Sequence, residues 1–374
     1  MEKIEFVDLK AQGFVIGHDI KRAIDRVVSH GRFIMGPEVH ELEEKLSRFT
    51  KAEYVISCSS GTDALLMMLM AMGIGPGDAV FTSPFTFIAT AEVISLLGAV
   101  PVFVDIDAAT FNIDPVKLEQ EIEKVKKESR LTPKAVIPVD IFGLPAEYVA
   151  ITEIAAKYDL KVIGDAAQSL GAQIGDKKAC TMAHAASTSF YPAKPLGCYG
   201  DGGAIFTNDS SLKEKLISIR SHGKGDHKYN NVRLGINGRM DTLQAAIVIQ
   251  KLKIFKNELG KREKIAQKYK KRLHGLVEFQ KIPHQYTTTW AQFSFVSKER
   301  SKIMAKLEAG KIPCVIYYPK PLHLQEAFFR LKYKNGDFPV AENIGDTILS
   351  IPMHPYLGDD QIDFITDTIK LALQ

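Results

Sequence analysis

Between residues 50 and 207 the chain alternates short apolar runs with stretches of helical spacing, and this rhythm restricts its fold more than any other feature. Val80-Phe81-Thr82 stops at Ser83-Pro84, and the run 100–104 stops at Asp105. Lys134-Ala135-Val136-Ile137-Pro138 stops near Asp140, and Leu160-Lys161-Val162-Ile163 stops near Asp165. Between them lie helix-length stretches, such as 116–125 and 150–156, with apolar residues three and four apart. Strand, helix, strand, helix builds a mainly parallel sheet covered on both faces. Strands buried on both faces read as continuous apolar runs. After about residue 240 the pattern changes. Residues 241–273 read as one long helix or two. Strand-like runs at 290–296 and 314–318 then alternate with helical ones at 301–307 and 361–373, the pattern of a smaller α+β domain. The expected division is a large domain over 1–245, N-terminal segment included, and a small one over 246–374.

Charge and cysteine usage narrow the function classes. Lys plus Arg number 48 and Asp plus Glu 44, a surplus of +4, too small to suggest a nucleic-acid binder. Cys58, Cys180, Cys198 and Cys314 are scattered without a C-x-x-C pair, which fits a reducing cytoplasm. The start, Met1-Glu2-Lys3-Ile4-Glu5, is charged and lacks a signal-peptide run. The apolar run 93–104 is closed by Glu92 and Asp105, short of the ~20 residues of a membrane span. The expectation is a cytoplasmic protein with no membrane contact. The basic stretch 251–272 reads as the solvated face of a helix. His222 and His227 read as loop residues, because no third ligand is spaced to close a metal site.

Four stretches carry chemistry. In Cys58-Ser59-Ser60-Gly61-Thr62-Asp63 an apolar strand runs into a turn of small residues before a helix. Such a helix start offers open N–H groups and a favourable dipole to an anion, with Ser60 or Thr62 as hydroxyl donors; it also serves as an ordinary N-cap. Asp165 ends a buried strand, where open α/β sheets bind ligands, or caps a helix with Gln168 closing a capping box. Lys194 lies in the small-residue segment 187–197 without a nearby acid in sequence. A lysine in a partly desolvated pocket becomes a nucleophilic amine able to form a Schiff base, although most lysines are solvated surface charges. Gly200, Gly202 and Gly203 precede a strand and allow close backbone approach. Together these supply what an aldehyde cofactor with a phosphate and a basic ring nitrogen requires.

The motifs resemble those of the DegT/DnrJ/StrS family of pyridoxal-phosphate sugar-nucleotide aminotransferases. The resemblance runs nearly end to end, through segments 33–39, 60–65, 86–90, 165–169, 189–194, 200–204, 235–241 and 350–355. Through residues 190–209 the chain is most similar to the branch acting on UDP-2-acetamido-2-deoxy-3-oxo-glucuronate. The resemblance implies the aspartate-aminotransferase-like α/β fold (fold type I), with a mainly parallel seven-stranded sheet and a smaller α+β C-terminal domain. It implies that Lys194 carries pyridoxal 5′-phosphate and moves the proton once freed, and that Asp165 pairs with the pyridine nitrogen. Gln168 is implied at the ring hydroxyl and Phe87 on the ring face. Gly61, Thr62 and Ser189 are implied at the phosphate, with Asn237 reaching it from the neighbouring subunit of a homodimer. Arg239, Tyr317, Tyr318 and His323 fall in segments lining the sugar-nucleotide side. The implied reaction passes an amino group from glutamate, leaving 2-oxoglutarate and the pyridoxamine form of the cofactor, to a C3 or C4 ketone of a nucleotide sugar for surface polysaccharide, lipopolysaccharide or glycoconjugate synthesis. Two departures bear on the sugar. Relatives often carry His at the position of Tyr317, and many carry His where Asp140 stands. A non-catalytic regulator of the same fold and a dehydratase are the alternatives; the dehydratase branch has His in place of Lys194.

Overall fold

The computed structural model describes residues 3–227 and 229–374. Its central sheet has seven strands in the order Tyr54–Cys58, Gly203–Thr207, Ala185–Ser189, Lys161–Asp165, Thr132–Ile137, Asp78–Thr82, Val100–Phe103. Gly203–Thr207 runs antiparallel to both its neighbours, and the remaining pairs are parallel. Successive residues of a strand point to opposite faces, and both faces are covered. Val80 packs with Leu65 and Met68 of the helix Gly61–Ala71. Ala79 and Phe81 pack instead with Leu118 and Ile151 of the helices Pro115–Glu128 and Tyr148–Lys157. This two-sided burial is why these strands read as unbroken apolar text. It also gathers the carboxyl ends of Tyr54–Cys58, Lys161–Asp165 and Ala185–Ser189 along one edge, where the site forms.

The C-terminal half is organised around one helix, Thr242–Leu273, of 32 residues. Ala245, Val248, Ile249 and Phe255 pack into the core of the large sheet. Ile265, Ala266, Tyr269 and Leu273 pack into a second core with Phe293, Phe295, Leu349, Ile351 and Ile365. The handover between cores therefore falls inside the helix, between Phe255 and Ile265, beyond the 245/246 division expected. The N-terminal segment is also shared. Ile4 packs in the second core, while Ile16, Ile20, Ala23 and Val27 of the helix Leu9–His30 lie against Ala246 and Ile247.

Three local expectations are corrected. The run 314–318 forms only an isolated bridge, Val315 to Ser350, flanked by Pro313 and Pro319, which lack the N–H a ladder needs. The run at 290–296 is a strand only over Phe293–Val296, because Trp290 has φ of +49°. The basic stretch is not wholly solvated: Lys251 is 1% and Arg262 4% exposed. Arg262 donates to the carbonyls of Trp290 and Met353, both at 3.0 Å, and so fastens the long helix to the second core. No helix among the described residues is long and apolar enough to cross a membrane.

Candidate active site

Asp165 ends its strand with 6% of its surface exposed. No helix follows, so the capping-box alternative does not form. One carboxyl oxygen accepts from the Thr90 hydroxyl at 2.8 Å and the other from the Ala167 N–H at 3.2 Å. Burial pushes the carboxyl up, against these two hydrogen bonds and the charge of Lys194. Thr90 is itself 3.1 Å from the Thr86 hydroxyl. Thr90 escapes a motif-based assignment of roles; its only sequence signal is its place in the 86–90 motif.

Lys194 rises from a closed loop after the strand Ala185–Ser189. Cys198 N–H donates to the Phe190 carbonyl at 2.7 Å, and Lys194 N–H to the Tyr191 carbonyl at 2.8 Å. Gly197 is required there, because a Cβ would lie 2.6 Å from the carbonyl oxygens of Tyr191 and Pro192. Burial lowers the affinity of the Lys194 amine for its proton, and only the Asp165 carboxylate opposes this. The loop thus holds a half-buried amine within electrostatic reach of a carboxylate, as a nucleophilic or proton-carrying lysine requires.

The helix Gly61–Ala71 begins beside them. Ser60 caps it, its hydroxyl accepting from the Asp63 N–H at 3.0 Å while its carbonyl takes the Ala64 N–H. The Ser60 hydroxyl oxygen accepts in the cap while its O–H stays available to donate, and Gly61 and Thr62 lie at the turn where a helix start has open N–H groups. A Cβ on Gly61 would come within 2.9 Å of the Ser189 Cβ, and one on Gly203 within 2.5 Å of the Ser60 backbone. These glycines let the helix start, the strand end and the Lys194 segment close into one cradle. The donor set fits pyridoxal phosphate: a desolvated amine, a buried carboxylate beside it, and a dipole-positive helix start with a neighbouring hydroxyl.

The remaining candidates divide. Gln168 is buried; its side-chain oxygen accepts from the Phe142 N–H at 2.5 Å, and its Nε2 lies 3.4 Å from the Tyr318 hydroxyl. Tyr318 and Asp165 are within electrostatic reach. Phe87, just before the helix Ala89–Leu96, is 57% exposed, an open aromatic face. The Tyr317 ring lies tilted against Phe6, centroids 6.2 Å apart, and within electrostatic reach of Tyr191 in the lysine loop. Asn237 is exposed, and its side-chain oxygen accepts from Arg239 Nε at 3.0 Å. The Gly238 carbonyl between them takes the Ser59 N–H at 3.0 Å, which brings this segment next to the helix start. His323 is not brought to the cleft. It is 0% exposed, with Nε2 2.9 Å from Glu342 and its ring against Phe338, so no substrate can touch it in this arrangement. Asp140 is also fully enclosed, its carboxyl accepting from the Ala146 N–H and meeting the Ser169 hydroxyl. No group of three or more His, Cys, Asp or Glu side chains is placed to hold a metal among the described residues.

Comparison with known proteins gives a consistent result. The model of the DegT/DnrJ/EryC1/StrS aminotransferase family matches residues 15–370. A UDP-2-acetamido-2-deoxy-3-oxo-D-glucuronate aminotransferase from Pseudomonas aeruginosa is 46% identical over 365 residues, covering 97% of this chain and 98% of that protein. The crystal structure of a DegT DnrJ EryC1 StrS aminotransferase from Brucella abortus superposes with a TM-score of 0.97 at 49% identity, covering 99% of each chain. The structure of ntda from Bacillus subtilis, with bound cofactor PMP, superposes with a TM-score of 0.89 at 29% identity, covering 100% of this chain and 86% of that one.

Proposed function

Because the chain belongs to the DegT/DnrJ/EryC1/StrS aminotransferase family, a pyridoxal-phosphate family, we propose that it aminates the C3 ketone of a UDP-linked 2-acetamido sugar acid. Glutamate is the amino donor. The sugar assignment is supported by the 46% identity to the Pseudomonas aeruginosa enzyme. The observation that carries the chemistry is the desolvated Lys194 amine within electrostatic reach of the buried Asp165 carboxyl, in a loop that follows Ser189, which packs against the Gly61 helix start.

Bound in this cradle, pyridoxal phosphate would supply an electron sink that makes the donor's Cα–H acidic. The side chains supply the rest. The Lys194 amine, whose hold on its proton burial weakens, would be the group that takes up and returns the proton at the donor's Cα. Asp165 holds the ring nitrogen protonated, which a carboxylate does and an amide does not. Phe87 covers one ring face. Gln168 donates from Nε2 to the ring hydroxyl, its oxygen being fixed by Phe142. The Gly61 and Thr62 N–H groups and the Ser189 hydroxyl hold the phosphate. Arg239 answers the carboxylate or diphosphate of the nucleotide sugar bidentately, with Tyr317 and Tyr318 along the sugar.

A homodimer completes the site, with Asn237 reaching the phosphate of the partner. Exposed apolar side chains support this: Phe33, Ile34 and Tyr199 stand on loops at the start of the long helix, tied to it through the Thr242 N–H to the Phe33 carbonyl and the Tyr199 N–H to the Gln244 side-chain oxygen. The protein is cytoplasmic in this reading, and its amino sugar feeds a surface polysaccharide such as lipopolysaccharide. A regulatory role without catalysis would leave the Lys194 and Asp165 arrangement without use, and a dehydratase would lack the lysine.

The test is to add glutamate to the cofactor-loaded protein, follow its visible spectrum, and then supply UDP- and dTDP-linked keto-sugars with mass analysis of the products. Conversion of the aldehyde band by glutamate, and a UDP-linked 3-amino product, are expected. A spectrum indifferent to every amino donor would refute the assignment.

A further inference from the structure

Two adjacent parallel strands run out to an aspartate, and only one of these faces the cradle. The strand Thr132–Ile137 continues through Pro138 and Val139 to Asp140, with Val139 bridged to Asp165. The Asp140 side chain has no exposed surface. One carboxyl oxygen accepts from the Ala146 N–H at 2.9 Å, and the other meets the Ser169 hydroxyl. Its N–H donates to the Asp165 carbonyl at 3.1 Å, and its carbonyl accepts from the Gly143 N–H at 3.2 Å. The turn between Asp140 and Ala146 is tight. Phe142 has φ of +59° and Gly143 +100°, and a Cβ on Gly143 would lie 2.1 Å from the Thr289 hydroxyl oxygen. That turn presents the Phe142 N–H that fixes Gln168. The Asp140 carboxyl is therefore the tie between the turn that orients Gln168 and the loop that runs from Asp165 to Ser169.

We propose that Asp140 is a positioning residue for the ring pocket: it holds Asp165 and Gln168 in place, and its ionisation is coupled to a cationic ring nitrogen docking on Asp165. This rests on the reading of Asp165 as the ring-nitrogen partner. Burial pushes the Asp140 carboxyl up to about 7; the Ser169 hydroxyl, the Ala146 N–H and the Tyr148 hydroxyl pull against this, and the Asp165 charge adds to it. The other titratable groups within reach are Tyr148 on the helix Tyr148–Lys157, Cys180 on the turn Ala179–Thr181 and Tyr286 on the strand Tyr286–Thr287, with no lysine or arginine among them. In the empty pocket the Asp165 carboxylate opposes ionisation of Asp140. A cation on Asp165 cancels that repulsion, so binding releases a proton from Asp140 and affinity gains as pH rises through neutrality.

The experiment measures binding of pyridoxamine phosphate to the apoprotein between pH 6 and 8.5, using this ligand because it cannot bond covalently to Lys194. Relative to Asp140→Asn, whose amide mimics the protonated acid, the wild-type affinity should gain roughly fivefold or more across the range, the low end of ordinary site coupling. Asp140→Ala should bind more weakly at every pH, because both ties are lost. Ser169→Ala keeps the carboxyl but removes a donor, and should move the wild-type gain to higher pH. Profiles for Asp140→Asn and Ser169→Ala that parallel the wild type would overturn the proposal. Asp165→Asn is the control for the underlying reading: binding indifferent to that change would reject the ring-pocket assignment, whatever Asp140 does.

Discussion

Lys194 and Lys251 meet the same loop, one from within it and one from the long helix behind it, and burial lowers the proton affinity of both. Their surroundings differ. Lys194 is half-buried, lies within electrostatic reach of Asp165, and follows the strand whose last residue, Ser189, packs against the Gly61 helix start. Lys251 is 1% exposed; its Nζ has no hydrogen-bond partner among the described residues and lies 4.4 Å from the centre of the Tyr199 ring. Burial holds its amine down at about 8, with only the distant charges of Cys198 and Glu258 opposing. Desolvation alone therefore yields a less basic amine but not a reactive centre. Reactivity also needs an approach for the substrate, a counter-charge that orients the partner, and a place for the partner's phosphate.

The comparison breaks most visibly at the lysines themselves. Lys194→Ala should reduce transamination by at least ~10²–10⁴-fold, the share usually carried by positioned proton transfer. Lys251→Met should keep most of the activity, and steady-state rates on both variants check this. A Lys251→Met protein as inactive as Lys194→Ala would erase the distinction. The next effect is on stability. Lys251 has its proton affinity lowered from 10.5 to about 8 by folding. Below pH 8 both folded and unfolded chains carry the charge, and its burial cost is fully present. Between pH 8 and 10.5 the unfolded chain binds more protons, so the wild type should gain stability relative to Lys251→Met, by up to ~3 kcal/mol. Denaturant unfolding of both proteins across that range measures the gain; a constant difference would mean that the buried ammonium has an acceptor. The smallest change leaves both amines intact and closes only the anion cradle. In Gly61→Ala the new Cβ falls 2.9 Å from the Ser189 Cβ, and relieving that overlap should weaken pyridoxamine phosphate binding about tenfold. Titration by fluorescence reads this directly.

The sheet was legible because its strands are buried on both faces and stop at turn residues; Lys161–Asp165 is an example. The division of the long helix was not legible. Its periodicity marks an apolar side but not which core that side meets, and Phe255 and Ile265 look alike in sequence while packing in different cores. Within the site, Asp165 and Lys194 could be singled out because a strand-end acid and a lysine among small residues are unusual. Thr90 could not: its partner Asp165 lies 75 residues away, and a threonine at a helix start is ordinary. His323 was given a substrate role only by the family resemblance of its segment, and Glu342 and Phe338 enclose it. Asp140 stood out in the sequence only as a departure from the family pattern; that its carboxyl ties Ala146 to Ser169 beneath the ring pocket could not be read there, because both partners lie in loops that the fold brings together.

Borohydride reduction of the protein saturated with pyridoxal phosphate, followed by peptide mapping, tests the centre of this account. Reduction makes permanent the bond between the cofactor and whichever amine holds it. The pyridoxyl group should be found on the peptide containing Lys194 and nowhere else. A label on Lys251, or an unlabelled Lys194 in saturated protein, would contradict it.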